Sequence, residues 1–158
     1  IDKGYLPTRA AALEREEETG GPVGAMMLPD GNVITGKTSE RLGAASSLLM
    51  NALKTVTGVD VEEDVIDDGA IDPICRLKTE QLDSKNHRLH SDETLIALSI
   101  SSATSQTAKR VIAGLPKLRG CDAFFSVIIS QTDEELYRKL GINVCCEPKY
   151  ERHTFYHK

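Results

Sequence analysis

Val23-Gly24-Ala25-Met26-Met27-Leu28-Pro29-Asp30-Gly31-Asn32-Val33-Ile34-Thr35 is the stretch that decides the fold. Two apolar, β-favouring runs, 23–28 and 32–35, are separated by Pro29-Asp30-Gly31, and an Asp-Gly step between such runs is a strong hairpin signal. Gly36 is expected to end the second strand. Downstream, 39–57 reads as a helix with Thr38 or Ser39 as its N-cap and Gly58 past its end. Leu42, Ala45, Leu49, Ala52, Leu53 and Val56 form its main stripe, and Ala44, Leu48 and Met50 widen that stripe nearly all round, the pattern of a buried helix. Upstream, a loop at Pro7 leads into a charged helix over 8–18, stopped by Gly20-Gly21-Pro22.

Farther along, the alternation of valines and acids over 59–66 predicts an edge strand. Asp72-Pro73 is expected to open a short helix over 71–82, followed by a polar loop over 83–90. Ser91 starts another helix whose Asp92 and Glu93 suit a positive N-terminus, and the hydroxyl-rich run 99–107 splits it from a second helix near Thr104. A strand over 123–129, a helix opened by the capping pattern Ser130-x-x-Asp133 and a strand over 142–146 complete the chain's regular elements. The fold class is therefore α/β: a mixed sheet with an N-terminal β-hairpin and packed helices. Hairpin, buried helix and later αβ units point to a cytidine-deaminase-like architecture without its zinc signature. The expected organisation is a linker and helix over 1–20, one α/β domain over 21–150, and a tail over 151–158.

Composition bounds the function. At 158 residues, 40% hydrophobic and 27% charged, with no long apolar run, the chain is expected to form a globular domain with no membrane partner. Net charge −5, seven aromatics and no tryptophan exclude nucleic acid as an expected partner. The charge is uneven: residues 1–79 carry 8 basic and 14 acidic side chains, residues 80–158 carry 11 and 10. Cys75, Cys121, Cys145 and Cys146 lack disulfide-dense or C-x-x-C spacing and read as reduced thiols. His153 and His157 share a helical spacing without a cysteine pair nearby, so no metal site and no cofactor are expected.

Two segments gather groups that bind anions. Gly31 to Thr38 matches the phosphate-loop pattern G-x-x-x-x-G-K-[ST], but Gly31 belongs to the turn, and the β-branched Val33 and Ile34 favour an extended strand over a wrapping loop. A milder site is left at Lys37, Thr38 and Ser39, where a strand meets a helix start, unless the hydroxyls only cap and the lysine is solvated. The loop 86–93 adds Arg88 and His90, a fork-shaped cation and a titratable ring, unless it is an ordinary polar loop. Asn51 and Asp92 are secondary candidates. No catalytic residue is assigned, and whether the protein is an enzyme is left open.

Several strings are familiar as words: Glu17-Glu18-Thr19-Gly20-Gly21-Pro22, Leu28-Pro29-Asp30-Gly31, Thr35-Gly36-Lys37-Thr38-Ser39, Leu42-Gly43-Ala44-Ala45-Ser46 and Leu115-Pro116-Lys117-Leu118-Arg119-Gly120-Cys121. With Asn51 to Lys54, Asn86 to Glu93 and Arg138 to Asn143, they resemble the C-terminal portion of an uncharacterised bacterial family, domain of unknown function 1846, over about residues 14–151. The resemblance implies a separated C-terminal domain of a longer cytoplasmic protein, whose N-terminal portion carries its own glycine-rich, lysine-containing segment. That missing N-terminal domain, further copies of the chain in an oligomer, and a small anionic ligand are the expected partners. The function implied is that of an accessory domain in a nucleotide- or phosphometabolite-handling protein. The alternative is a non-catalytic oligomerisation or interaction domain, its contacts made by the alanine- and leucine-rich helix.

Overall fold

A computed structural model describes residues 3–150. Its elements run α1 (Tyr5–Thr19), β1 (Val23–Met27), β2 (Val33–Lys37), α2 (Ala44–Val56), α3 (Asp68–Arg76), a π-helical turn (Leu77–Gln81), α4 (Ser91–Ser101), α5 (Gln106–Ile112), a 3₁₀ turn (Leu115–Leu118), β3 (Asp122–Phe125), α6 (Gln131–Lys139) and β4 (Asn143–Cys146). The four strands form one mixed sheet in the order β2-β1-β3-β4. β1 is antiparallel to both neighbours and β3 is parallel to β4. The tail expected over 151–158 lies outside the described residues.

Strand alternation sorts side chains onto two faces. Val23, Ala25 and Phe124 turn toward α1, where Tyr5 meets Phe124 edge to face and Ala12 is fully buried. Met26, Ala123 and Phe125 turn the other way, against Leu48, Leu49 and Leu53 of α2. The larger core is on that side, and the apolar residues of α2 are consumed in it. Few apolar side chains of this helix are left exposed for the contacts between copies expected from its composition.

The hairpin forms where the sequence places it. Gly31 takes φ +90°, and its N–H donates to the Leu28 carbonyl. The second strand does not stop at Gly36, however. It continues to Lys37 and pairs as far as Val23, because Gly36 is where the strand touches α2: a Cβ there would sit 2.4 Å from the Leu48 backbone nitrogen. The phosphate-loop motif is thus a turn followed by a ladder strand whose backbone is committed to β1.

Four boundaries differ from expectation. α2 begins at Ala44 with Gly43 as N-cap, not at Thr38 or Ser39. Residues 38–43 are instead drawn into the loop before α4: Leu42 bridges Leu89, the Leu89 N–H donates to the Arg41 carbonyl at 2.8 Å, and the Gly43 N–H donates to the Leu89 carbonyl at 3.2 Å. Residues 59–66 form turns, not an edge strand, and their acids surround the ammonium of Lys54, which donates to the Val61 carbonyl at 3.1 Å. α3 starts at Asp68, capped by the Asp67 carboxylate, so Pro73 lies inside the helix and does not open it. The strand expected over 123–129 spans Asp122–Phe125, and 126–129 turns away to start α6.

Candidate functional site

A recess of about 210 Å³ opens where β3 ends and three helices begin. Gly43, His90 and Ser130, the N-caps of α2, α4 and α6, all line it. In an open α/β sheet, crevices outside the carboxyl ends of the strands are where ligands sit, and each helix start adds about half a positive charge there. Arg88 and Asn86 supply further polar lining, while Pro22, Val127, Ile128, Ile129 and Tyr150 form the apolar side.

Buried polar contacts fix the three helix starts to one another. Asp133 of α6 is 8% exposed; its Oδ1 accepts from the Ser91 N–H at 2.8 Å and the Ser91 hydroxyl at 2.7 Å, and its Oδ2 accepts from the Ser130 hydroxyl at 3.1 Å. The carboxylate is thereby matched to the positive ends of α4 and α6. Tyr137, one turn later, sends its hydroxyl to the Ala45 carbonyl at 2.6 Å, tying α6 to α2. The Ser46 hydroxyl donates to the Leu89 carbonyl at 2.8 Å and accepts from Thr94 at 2.9 Å, tying α2 to α4.

Next to these contacts a buried lysine pairs with a half-buried glutamate. Lys78, 6% exposed in the π-helical turn, donates to Glu93 Oε1 at 2.9 Å and to the Arg88 carbonyl at 2.5 Å. Glu93 also accepts the His90 N–H at 2.8 Å, and His90 Nδ1 lies 3.4 Å from the same oxygen. Burial opposes ionisation of Glu93, yet the hydrogen bonds from His90 and Lys78 outweigh it and hold the carboxyl at about 2. The hydrogen bond to Glu93 raises the His90 pKa against burial, favouring imidazolium at the recess.

The residues singled out in the sequence fall into two groups. Arg88 and His90 line the recess. Lys37, Ser39 and Asn51 line a different, more open cleft along the flank of α2, among Glu40, Arg41, Lys54, Glu62, Asp64 and Asp68. The two loops do meet, since Arg88 Nε donates to the Ser39 carbonyl at 2.7 Å, but that contact uses backbone and leaves Lys37 at the other cleft. Lys37 and Arg88 therefore do not share one pocket. Thr38 is buried, its hydroxyl without a partner among the described residues. Asn51 is a satisfied amide, donating to the Thr35 carbonyl at 2.9 Å. Asp92 accepts the Glu93 N–H at 2.8 Å and does not line the recess. Ser130 and Asp133 were legible only as a helix cap and not as recess lining, while Lys78 and the α2 start escaped sequence reading.

The cysteines are free thiols, with Cys145 exposed and Cys146 half-buried on opposite sides of β4. His153 and His157 lie outside the described residues. No helix among the described residues is long and apolar enough to cross a membrane.

The model of the family described as domain of unknown function DUF1846, C-terminal, matches residues 5–156. The chain belongs to that family. The resemblance drawn from its sequence strings thus holds, over slightly more of the chain at each end. Among bacterial relatives of this DUF1846 C-terminal domain, a UPF0371 protein of Corynebacterium efficiens is 49% identical over 149 residues, covering 94% of this chain and 30% of the relative. UPF0371 proteins of Corynebacterium glutamicum and of Streptococcus pyogenes serotype M5 are 48% and 40% identical, again over 94% of this chain and 30% of their own length. The chain therefore spans about a third of the relatives it matches. Every residue that lines the recess falls within the family match.

Proposed function

We propose that this domain holds a small anion, a phosphate or a phosphate ester, in the recess at the α2 start. It does so as the accessory domain of a longer cytoplasmic protein that handles nucleotides or phosphorylated metabolites. The observation that carries the reading is the bare start of α2: no side chain caps it, no acid stands in its first turn, and no described residue accepts the N–H groups of Ala44, Ala45 and Ser46. Three N–H donors at a positive helix end, with Arg88 and His90 on the same wall, are the complement of an oxyanion. The Asp133 carboxylate in the lining keeps its charge, but its oxygens are turned to Ser91 and Ser130 at the starts of α4 and α6, whose partial positive charges offset it.

Isothermal titration of the chain with inorganic phosphate near neutral pH tests it. Saturable binding is expected, weakened about tenfold by Arg88→Ala through loss of a charge-assisted contact. An absence of heat, or affinity unchanged in Arg88→Ala with the fold intact by circular dichroism, sinks the proposal.

A second reading, an interaction domain that assembles into oligomers without chemistry of its own, is favoured by Ile96 and Ile100. They stand one turn apart on α4, 55% and 57% exposed. Light scattering decides it: a mass rising with concentration and reset by Ile96→Asp supports assembly, and a strict monomer excludes it.

A further inference from the structure

The recess has two unlike walls. One is polar and positive: the α2 start, Arg88 and His90. The other is an apolar ledge at the mouth, made by Ile128 and Tyr150, which are 40% and 79% exposed. Their backbones are held side by side, because the Ile128 N–H donates to the Lys149 carbonyl at 2.7 Å. The segment that carries Tyr150 is itself pinned. Glu147 donates its N–H to the Phe125 carbonyl at 2.8 Å and accepts Arg9 of α1 at 3.2 Å, while Lys149 reaches Glu16 of α1 at 2.8 Å. The backbone leading to the ledge is therefore held beside the positive wall. At about 210 Å³ the recess is smaller than cavities that enclose a whole organic ligand, so only one end of such a ligand would fit inside it.

We infer that the ligand of this recess is an organic phosphate ester carrying a flat ring, its phosphate at the α2 start and its ring on the ledge of Ile128 and Tyr150. The inference rests on the anion reading above and adds the class of ester. A flat ring is the group that a tyrosine face and an adjacent aliphatic side chain hold together, by stacking on one and by apolar contact with the other.

The test titrates the chain with inorganic phosphate, methyl phosphate and phenyl phosphate. Phenyl phosphate is expected to bind about tenfold tighter than methyl phosphate, the scale of one aromatic stacking contact. In Tyr150→Ala that preference is expected to vanish while affinity for inorganic phosphate is unchanged. Tyr150→Trp gives an independent readout, since the chain has no other tryptophan: its fluorescence should respond to phenyl phosphate and not to inorganic phosphate. Equal affinity for the two esters, or a preference that survives both Tyr150→Ala and Ile128→Ser, overturns the ring inference and leaves the anion site standing. If none of the three phosphates binds, the anion site fails and the inference fails with it.

Discussion

The starts of α4 and α2 lie on the same recess and are treated in opposite ways. At α4 the His90 N–H donates to Glu93, the Ser91 N–H to Asp133 and the Glu93 N–H to Asp92, so three carboxylates answer one helix end. At α2 a glycine stands at the cap, and the first three N–H groups have no acceptor among the described residues. A helix end carries its partial charge whether or not a side chain answers it. At α4 the acids are built into the chain; at α2 no acceptor is built in among the described residues, and that difference is what the anion proposal turns on.

Removing the built-in acceptor of α4 should have the largest effect. Asp133→Ala leaves the Ser91 N–H and hydroxyl and the Ser130 hydroxyl without their buried partner, and unfolding in urea should show a loss of about 3 kcal/mol. A loss under about 1 kcal/mol would mean that the α4 start does not depend on its carboxylates as claimed.

Glu93→Gln should cost about 1.5 kcal/mol at neutral pH, the scale of a hydrogen bond to a charged group. It should also reshape the pH dependence. The folded chain holds Glu93 at about 2, below its ordinary 4.5, so its contribution is present above 4.5 and lost as pH falls toward 2. His90 has the opposite sign: its raised pKa gives a contribution that is full below 6.5 and lost as pH rises through the folded value. Urea midpoints measured against pH should fall on both flanks for the native chain and flatten in the variant. Parallel curves would remove the pair from the account.

Gly43→Asp converts the α2 start into a copy of the α4 start. The Gly43 backbone is extended, with φ −69° and ψ 169°, and an added Cβ meets only the Leu89 carbonyl at 3.7 Å, so the substitution fits. It should stabilise the fold by about 0.5 kcal/mol and at the same time abolish phosphate binding. Stabilisation with full binding would place the anion elsewhere. The smallest effect belongs to Lys37→Ala, whose side chain is in the other cleft: phosphate affinity should change less than about twofold, under about 0.4 kcal/mol.

The hairpin, the α4 start and the α6 cap were legible because each is announced by residues adjacent in sequence: Asp30-Gly31, Ser91-Asp92-Glu93 and Ser130-x-x-Asp133. The α2 start was not, for a physical reason. Thr38 and Ser39 look like caps and Glu40-Arg41-Leu42 favours helix, but contacts with 87–89 draw these residues out of the helix, and the true cap, Gly43, has no side chain to signal it. Pro73 misled in the same way, since the Asp67 cap lies six residues before it. Of the site, Arg88 and His90 were visible as types suited to an anion. The roles of Asp133 and Lys78 depend on partners 42 and 10 to 15 residues away, which no local pattern reports.

The exposed turn at Asp30 and Gly31 has a practical use. It closes the hairpin at the far end of β1 from Pro22, and five residues of strand separate the two ends by about 17 Å. A fluorophore or affinity handle inserted in that turn rides on the central strand of the sheet yet stays clear of the recess. It offers a fixed attachment point for immobilising the domain or timing ligand exchange without touching the groups that would do the holding.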